Sequence, residues 1–206
     1  MYTKLPNLVI GFHGCDETVI RKVIEQRLPM DNSNNTYDWL GHGLYFWESN
    51  LTRAWKWAQD GRTRRNVKTK IAKTPSVIGA VIDLGYCLNL TDSESIDLLK
   101  NQYSIFKQQQ ELADIPMPEN KDASGKQDLL LRYLDCAVIE NLHLAMKAQE
   151  QGKSFDSVRG VFVEGAPIYP NAGFHEKTHI QICVRNPNCI KGFFLPQPQD
   201  PKWSLP

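Results

Sequence analysis

Apolar residues alternate near both ends of the chain and recur at helical spacing in its middle. Leu8-Val9-Ile10 leads to Phe12-His13-Gly14, a short apolar strand. A helix is expected from about Thr18 to Gln26, with Val19, Val23 and Ile24 inward and Asp16 or Thr18 as its N-cap. Leu28 to Tyr37 is a loop by composition. Leu51, Ala54, Trp55 and Ala58 fall on one helical face with Trp57 alongside, in a helix that Gly61 should end. Ser76 to Leu84 reads as a core strand that Cys87 to Leu90 continues after a turn. Thr91 or Ser93 should cap a helix through about Ala113, striped by Ile96, Leu99 and Tyr103. A longer helix is expected from about Lys126 to Gln151, burying Leu130, Leu134, Ala137, Val138, Asn141, Leu142 and Ala145. Strands return at Val158 to Glu164, Thr178 to Arg185 and Cys189 to Leu195.

This order, strands outside and helices between, predicts one α+β domain over residues 1–206 with a split antiparallel sheet. A helical insert spans about 93–151. The tail, about 196–206, holds four prolines in eleven residues and should carry little regular structure.

The densest stretch is Gly41-His42-Gly43-Leu44-Tyr45-Phe46-Trp47-Glu48. Its glycines permit a tight turn and close approach of a ligand to the backbone. In a strand, Tyr45 and Trp47 share one face and Phe46 takes the other. A third glycine and a following helix are missing, so it is not a dinucleotide-binding fingerprint.

The 206 residues suit one well-filled domain. Hydrophobic content of 41%, charged content of 23% and a net charge of +1 are ordinary for a soluble protein and name no partner. No apolar run approaches the roughly 20 residues that cross a bilayer, and no signal peptide is evident. Five cysteines with no C-x-x-C pair suit a reducing cytoplasm rather than a disulfide framework. The one strongly basic run is Arg62 to Lys73. It reads either as a solvated edge or as a phosphate or nucleic-acid contact.

His175-Glu176-x-x-His179 fits a zinc-hydrolase pattern, which needs both imidazoles on one helical face. Pro170 and Gly173 before it and alternating strand residues after it favour a loop entering a strand. The zinc hydrolase therefore stands as an alternative only.

Three further pieces, in order, carry a likeness: Phe12-His13-Gly14, Gly43-Leu44-Tyr45-Phe46 and His179-Ile180-Gln181-Ile182. Together they resemble the ADP-ribosyltransferase family, in the branch of poly(ADP-ribose) polymerase catalytic domains and diphtheria toxin. Thr52 and Trp55 resemble that family's hydroxyl and aromatic on the next helix, at slightly shorter spacing. Gly79 to Gly85, Gly160 to Gly165 and Gln181 to Pro187 resemble later strands, so the likeness runs loosely from about residue 8 to 195 and omits the helical insert.

The resemblance implies an ADP-ribosyltransferase-like core that binds NAD in a cleft between two half-sheets, with no metal. Gly14 would hold the nicotinamide carboxamide, His13 a ribose hydroxyl, and Thr52 would add a hydroxyl. Tyr45 and Trp55 would sandwich the nicotinamide ring. The family's third position is usually glutamate; here it is Gln181, which can donate and accept hydrogen bonds but is no base near neutral pH. Glu164 or Glu176 could supply the acid, the acceptor could need little activation, or the domain could bind NAD or ADP-ribose without turning it over. The expected activity is mono-ADP-ribosyl transfer from NAD to a macromolecule, nucleic acid slightly favoured over protein by the basic run. By family analogy such a chain serves as a bacterial toxin or phage-defence effector, with an antitoxin or inhibitor protein as a partner, and no membrane.

Overall fold

The computed structural model describes residues 8–63, 73–122, 129–149, 152–198 and 202. Among them lie seven strands: β1 (Leu8–Asp16), β2 (Leu44–Glu48), β3 (Pro75–Asp83), β4 (Cys87–Asn89), β5 (Ser157–Phe162), β6 (His179–Val184) and β7 (Ile190–Phe194). Four helices accompany them: α1 (Glu17–Ile20), α2 (Leu51–Thr63), α3 (Ser93–Leu112) and α4 (Tyr133–Lys147). A π-helical turn, Arg21–Glu25, continues α1. None of these helices is long and apolar enough to cross a membrane.

The fold is α+β. The strands form one open sheet in the order β4-β5-β6-β2-β1-β3-β7. It is mixed: β4 runs parallel to β5, and all other neighbours are antiparallel. Residues 87–89 therefore do not continue β3, as the sequence suggested; the chain crosses the molecule and adds a far edge beside β5. Ser157 secures the crossing, donating its hydroxyl to the Leu84 carbonyl at 2.6 Å.

The sheet has a weak seam. β1 pairs with β3 over nine positions but with β2 at only two, Gly11 with Glu48 and Phe12 with Trp47. On one side of this seam stand β4, β5, β6 and β2; on the other, β1, β3 and β7.

Side chains opposite one another across a ladder share a face. One face carries Gly14, Tyr45, Trp47, Gln181 and Cys183. Its seam-to-β3 part is covered by α2, through Ala54 against Trp47 and Val77. Its other part is covered by α4, where Ile139 and Leu142 join Leu40, Phe162 and Cys183. The opposite face carries Leu44, Phe46, Ala80 and Ile182, with Ile78 packed under α1 and its π-turn.

The helices obey local rules with corrections. Asp16 caps α1, accepting from the Thr18 N–H at 3.0 Å. It also accepts from the Thr74 N–H, and these bonds hold its carboxyl down at about 2. Helix α2 starts at an Asn50 cap and runs through Gly61 to Thr63. Its buried stripe is Ala54 and Ala58, while Trp55 turns outward. Small residues four apart let the helix lie directly on Gly14, where an added Cβ would meet the Ala54 carbonyl oxygen at 2.1 Å. Helix α3 is capped by Asp92 rather than Thr91 or Ser93. It leaves Ile96 and Tyr103 exposed and buries Gln102, which donates to Asn141 of α4. Helix α4 begins at Tyr133, later than expected, because Leu131 pairs with Lys121. The Asn120 side chain then caps the N–H groups of Leu134 and Asp135 from outside. Its buried residues are Cys136, Val138, Ile139, Leu142 and His143, a face rotated from the expected one.

Candidate functional site

At the seam the two half-sheets part immediately after Phe12. His13 sits in the opening, and its ring stands edge-on to Phe46 at 6.0 Å. Its Nδ1 lies 2.8 Å from the Tyr45 carbonyl. A carbonyl only accepts, so Nδ1 carries the proton and Nε2 presents a lone pair. Burial lowers the His13 pKa, against the opposing effect of the Tyr45 carbonyl, so the ring is neutral near pH 7. His13 and Tyr45 are thus neighbours, but their side chains lie on opposite faces and meet through the backbone.

Tyr45 is held tightly. Its hydroxyl donates to the Gly41 carbonyl at 2.6 Å and accepts from the Leu40 N–H at 2.8 Å. Burial raises its pKa well above the usual phenol value. The left-handed Gly41, φ 77°, shapes the turn that receives it. The expected aromatic sandwich is not formed: Trp55 is 43% exposed on the outer side of α2. Trp47 instead pairs with Trp57, their ring centroids 5.6 Å apart. Gly14 is roofed on its α2 side by the Ala54 carbonyl, so close helix packing accounts for this glycine without a ligand.

Gln181 stands opposite Trp47, and Cys183 stands opposite Tyr45. The third position is therefore one pair along from Tyr45 on the same face. The Gln181 side chain is half-buried.

Both glutamates lie near the start of β6. Glu164, just past β5, is buried; its carboxylate accepts from Arg53 at 2.9 Å and from Lys177 at 3.3 Å. Arg53 reaches it from the first turn of α2 with only 7% of its side chain exposed. The guanidinium also lies 5.7 Å from the centre of the Trp47 ring. Next to this pair, His179 is buried among Trp39, Trp47 and Phe162. Its Nδ1–H donates to the Lys177 carbonyl at 2.5 Å, and burial lowers its pKa. Among the described residues, Trp47 Nε1, Arg53 Nε and His179 Nε2 are buried without a hydrogen-bond partner.

A cavity of about 560 Å³ opens beside this cluster. One wall is α2 with its cap: Asn50, Thr52, Arg53, Lys56 and Asp60. The other is the approach to β6: Glu176, Lys177 and Thr178. Thr52 and Glu176 thus line one cavity, with the buried Glu164 carboxylate bonded to its Arg53 and Lys177.

The zinc-hydrolase geometry is absent from His175-Glu176-x-x-His179. The segment is a turn entering β6, not a helix. His175 Nδ1 donates to the Gly165 carbonyl at 2.7 Å, while His179 is turned into the aromatic cluster. Of the basic run, residues 64–72 lie outside the described residues.

Sequence reasoning missed Arg53, Lys177 and His179 as one group. The available signal was Arg53 beside Ala54: positions 53, 54 and 58 form the inner side of α2, and an inward arginine there demands a buried partner. No protein-family model, no curated protein and no solved structure matches the chain.

Proposed function

We propose that this chain transfers ADP-ribose from NAD to a macromolecular acceptor and releases nicotinamide. The observation that carries the reading is the seam: two half-sheets joined at two residue pairs, with His13 in the opening on the Tyr45 carbonyl. That is where the resemblance to ADP-ribosyltransferases expects a donor cleft. The cavity that joins Thr52 to Glu176, with Glu164 behind it, lends further support.

In this reading the bond between nicotinamide and ribose C1′ breaks, and nicotinamide leaves with the bonding pair. The sugar becomes oxocarbenium-like and a carboxylate stabilises it. Glu176 suits that task, because it lines the cavity, whereas both oxygens of Glu164 are engaged by Arg53 and Lys177. Gln181 would hydrogen-bond a ribose hydroxyl without acting as base. The acceptor oxygen or nitrogen then bonds C1′ and releases its proton to solvent. The nucleic-acid preference rests on the basic run alone, and the roles of toxin or defence effector rest on the resemblance alone.

A binding-only module is the second reading, favoured by Gln181 at the third position and by the fully engaged Tyr45 hydroxyl. Nicotinamide release from NAD separates the two, measured without acceptor, with mixed RNA and DNA, and with whole-cell protein. Release that rises with one acceptor and falls at least about tenfold in Glu176→Gln supports the transferase. NAD that binds but stays intact in every arm leaves the binding module.

A further inference from the structure

Helix α3 lies in the insert that the resemblance omits, so its surface owes nothing to the proposed reaction. It is twenty residues long, about 30 Å by its rise. Leu99 packs on the core, and Gln102 is buried on Asn141 of α4, which in turn donates to Gln109. Beside that polar ladder runs another row: Leu98, Ile105 and Leu112. Every seventh residue drifts only about 20° round a helix, so the three form one stripe. All three are exposed, Leu112 to 90%. Leu144, one turn along α4 from Asn141, is exposed to 64%. Ile96 and Tyr103, also exposed, occupy the opposite flank of α3 and take no part.

A seven-residue apolar repeat is a pattern that another helix fills, since slight supercoiling keeps such a stripe against its partner. The rim says which helix. Nearest the stripe stand Asn101 and Gln108 on one side, and Gln102 and Gln109 on the other. An amide both donates and accepts, so a rim of amides complements itself. A partner of opposite charge has little to answer. Lys100, Lys107 and Glu111 lie on the far side of α3, and the last two pair with each other at 3.8 Å. Asp97 stands outside the Asn101 row. Glu94, one turn before Leu98, is the one charge of α3 in line with the stripe. In a parallel pair it would meet its own copy. In an antiparallel pair centred on Ile105, Leu98 faces Leu112 of the second copy, and Glu94 passes beyond the end of the opposing helix. That arrangement also sets the two helix dipoles head to tail.

We propose that this stripe joins two copies of the chain as an antiparallel helix pair about a twofold axis at Ile105. A twofold contact needs a patch that matches itself, and Leu98 and Leu112, equally spaced from Ile105, supply one. Three apolar residues a side make a small contact, so the dimer is reversible and depends on concentration.

The test is sedimentation equilibrium of the full chain over a series reaching about 0.5 mM. Wild type should pass reversibly from monomer to dimer. Ile105→Glu sets two like charges face to face at the axis and should raise the dissociation constant at least about tenfold. Leu98→Glu and Leu112→Lys should each weaken the dimer alone, by setting a charge against an apolar residue. Combined in one chain they face each other across the axis, and that double variant should dimerise again. All three positions are exposed, so the fold is not at stake. A monomer at every concentration would overturn the proposal, as would a dimer that Ile105→Glu leaves intact. A double variant that pairs no better than Leu98→Glu or Leu112→Lys alone would overturn the antiparallel register and the proposal with it.

Discussion

The buried pair of Arg53 and Glu164 makes an asymmetric prediction about stability. At 2.9 Å and an effective dielectric constant of about 20, its Coulomb attraction is on the order of 6 kcal/mol. Desolvating two buried ions costs several kcal/mol each, so the pair as a whole contributes little net stability. Removing one partner is different, because the other charge stays buried; such losses run about 3–5 kcal/mol. Here the two losses are unequal. Without Arg53, Glu164 keeps Lys177, which is 40% exposed and already bonded to it. Without Glu164, Arg53 keeps only the face of Trp47. Glu164→Leu should therefore sit at the upper end of that range and Arg53→Met at the lower end. For a chain of this size, 3–5 kcal/mol lowers the melting temperature by about 6–20 °C. The double variant should return to within about 2 kcal/mol of wild type, since it leaves no orphaned ion. Urea titrations followed by circular dichroism measure all four corners of the cycle. Two single losses below about 1 kcal/mol that simply add would refute the reasoning, because that is how a solvated surface pair behaves.

Gly14→Ala places a methyl 2.1 Å from the Ala54 carbonyl and must lift α2; a loss of about 3 kcal/mol or more in urea is expected, and wild-type stability would show α2 free to move. Stability should also fall as pH drops from about 6.5 towards 4. Burial takes His143 down to about 4 in the folded state, so the unfolded chain binds its proton first; that share, on the order of 3 kcal/mol, is complete above pH 6.5. His13 and His179, also lowered by burial, act in the same direction. His143→Gln should flatten the urea midpoint across that window, and an unchanged slope would contradict it. Thiol alkylation at pH 8 should be slow before unfolding: burial pushes Cys15 up to about 12 and Cys183 higher still, leaving half-exposed Cys87 to react first.

The strands were legible because alternation over five or more residues reports a sheet whatever its partners. The order of strands was not: Cys87-Leu88-Asn89 reads as a continuation of β3, and only Ser157 and Asp156, some seventy residues on, carry it to the other edge. The rotated face of α4 was hidden for a similar reason. Its start is set by Asn120 and its contact with α3 by a ladder of Gln102, Asn141 and Gln109, so polar residues occupy positions that periodicity assigns to leucines. His13 and Tyr45 were named from a resemblance; they adjoin through the Tyr45 carbonyl, with their side chains on opposite faces. Trp55 was misplaced because a helical face drawn through 51, 54, 55 and 58 is too wide for a helix that lies on a glycine. Arg53 was passed over and Glu164 was offered only as a candidate acid, since charges are, by default, at the surface; the two are 111 residues apart, and nothing local joins them.

The strand order also governs when the molecule can take shape during synthesis. β2 lies at the middle of the sheet, yet one of its two neighbours is β6, made some 130 residues later. Until 179–184 have left the ribosome, β2 is an open edge, the cavity has one wall and Arg53 has no counter-charge. Folding must close that long loop before its contacts reward it, so it should be slow and complete only late. The cavity's second wall, and the counter-charge that Arg53 needs, would thus arrive together with the last strand to join the middle of the sheet.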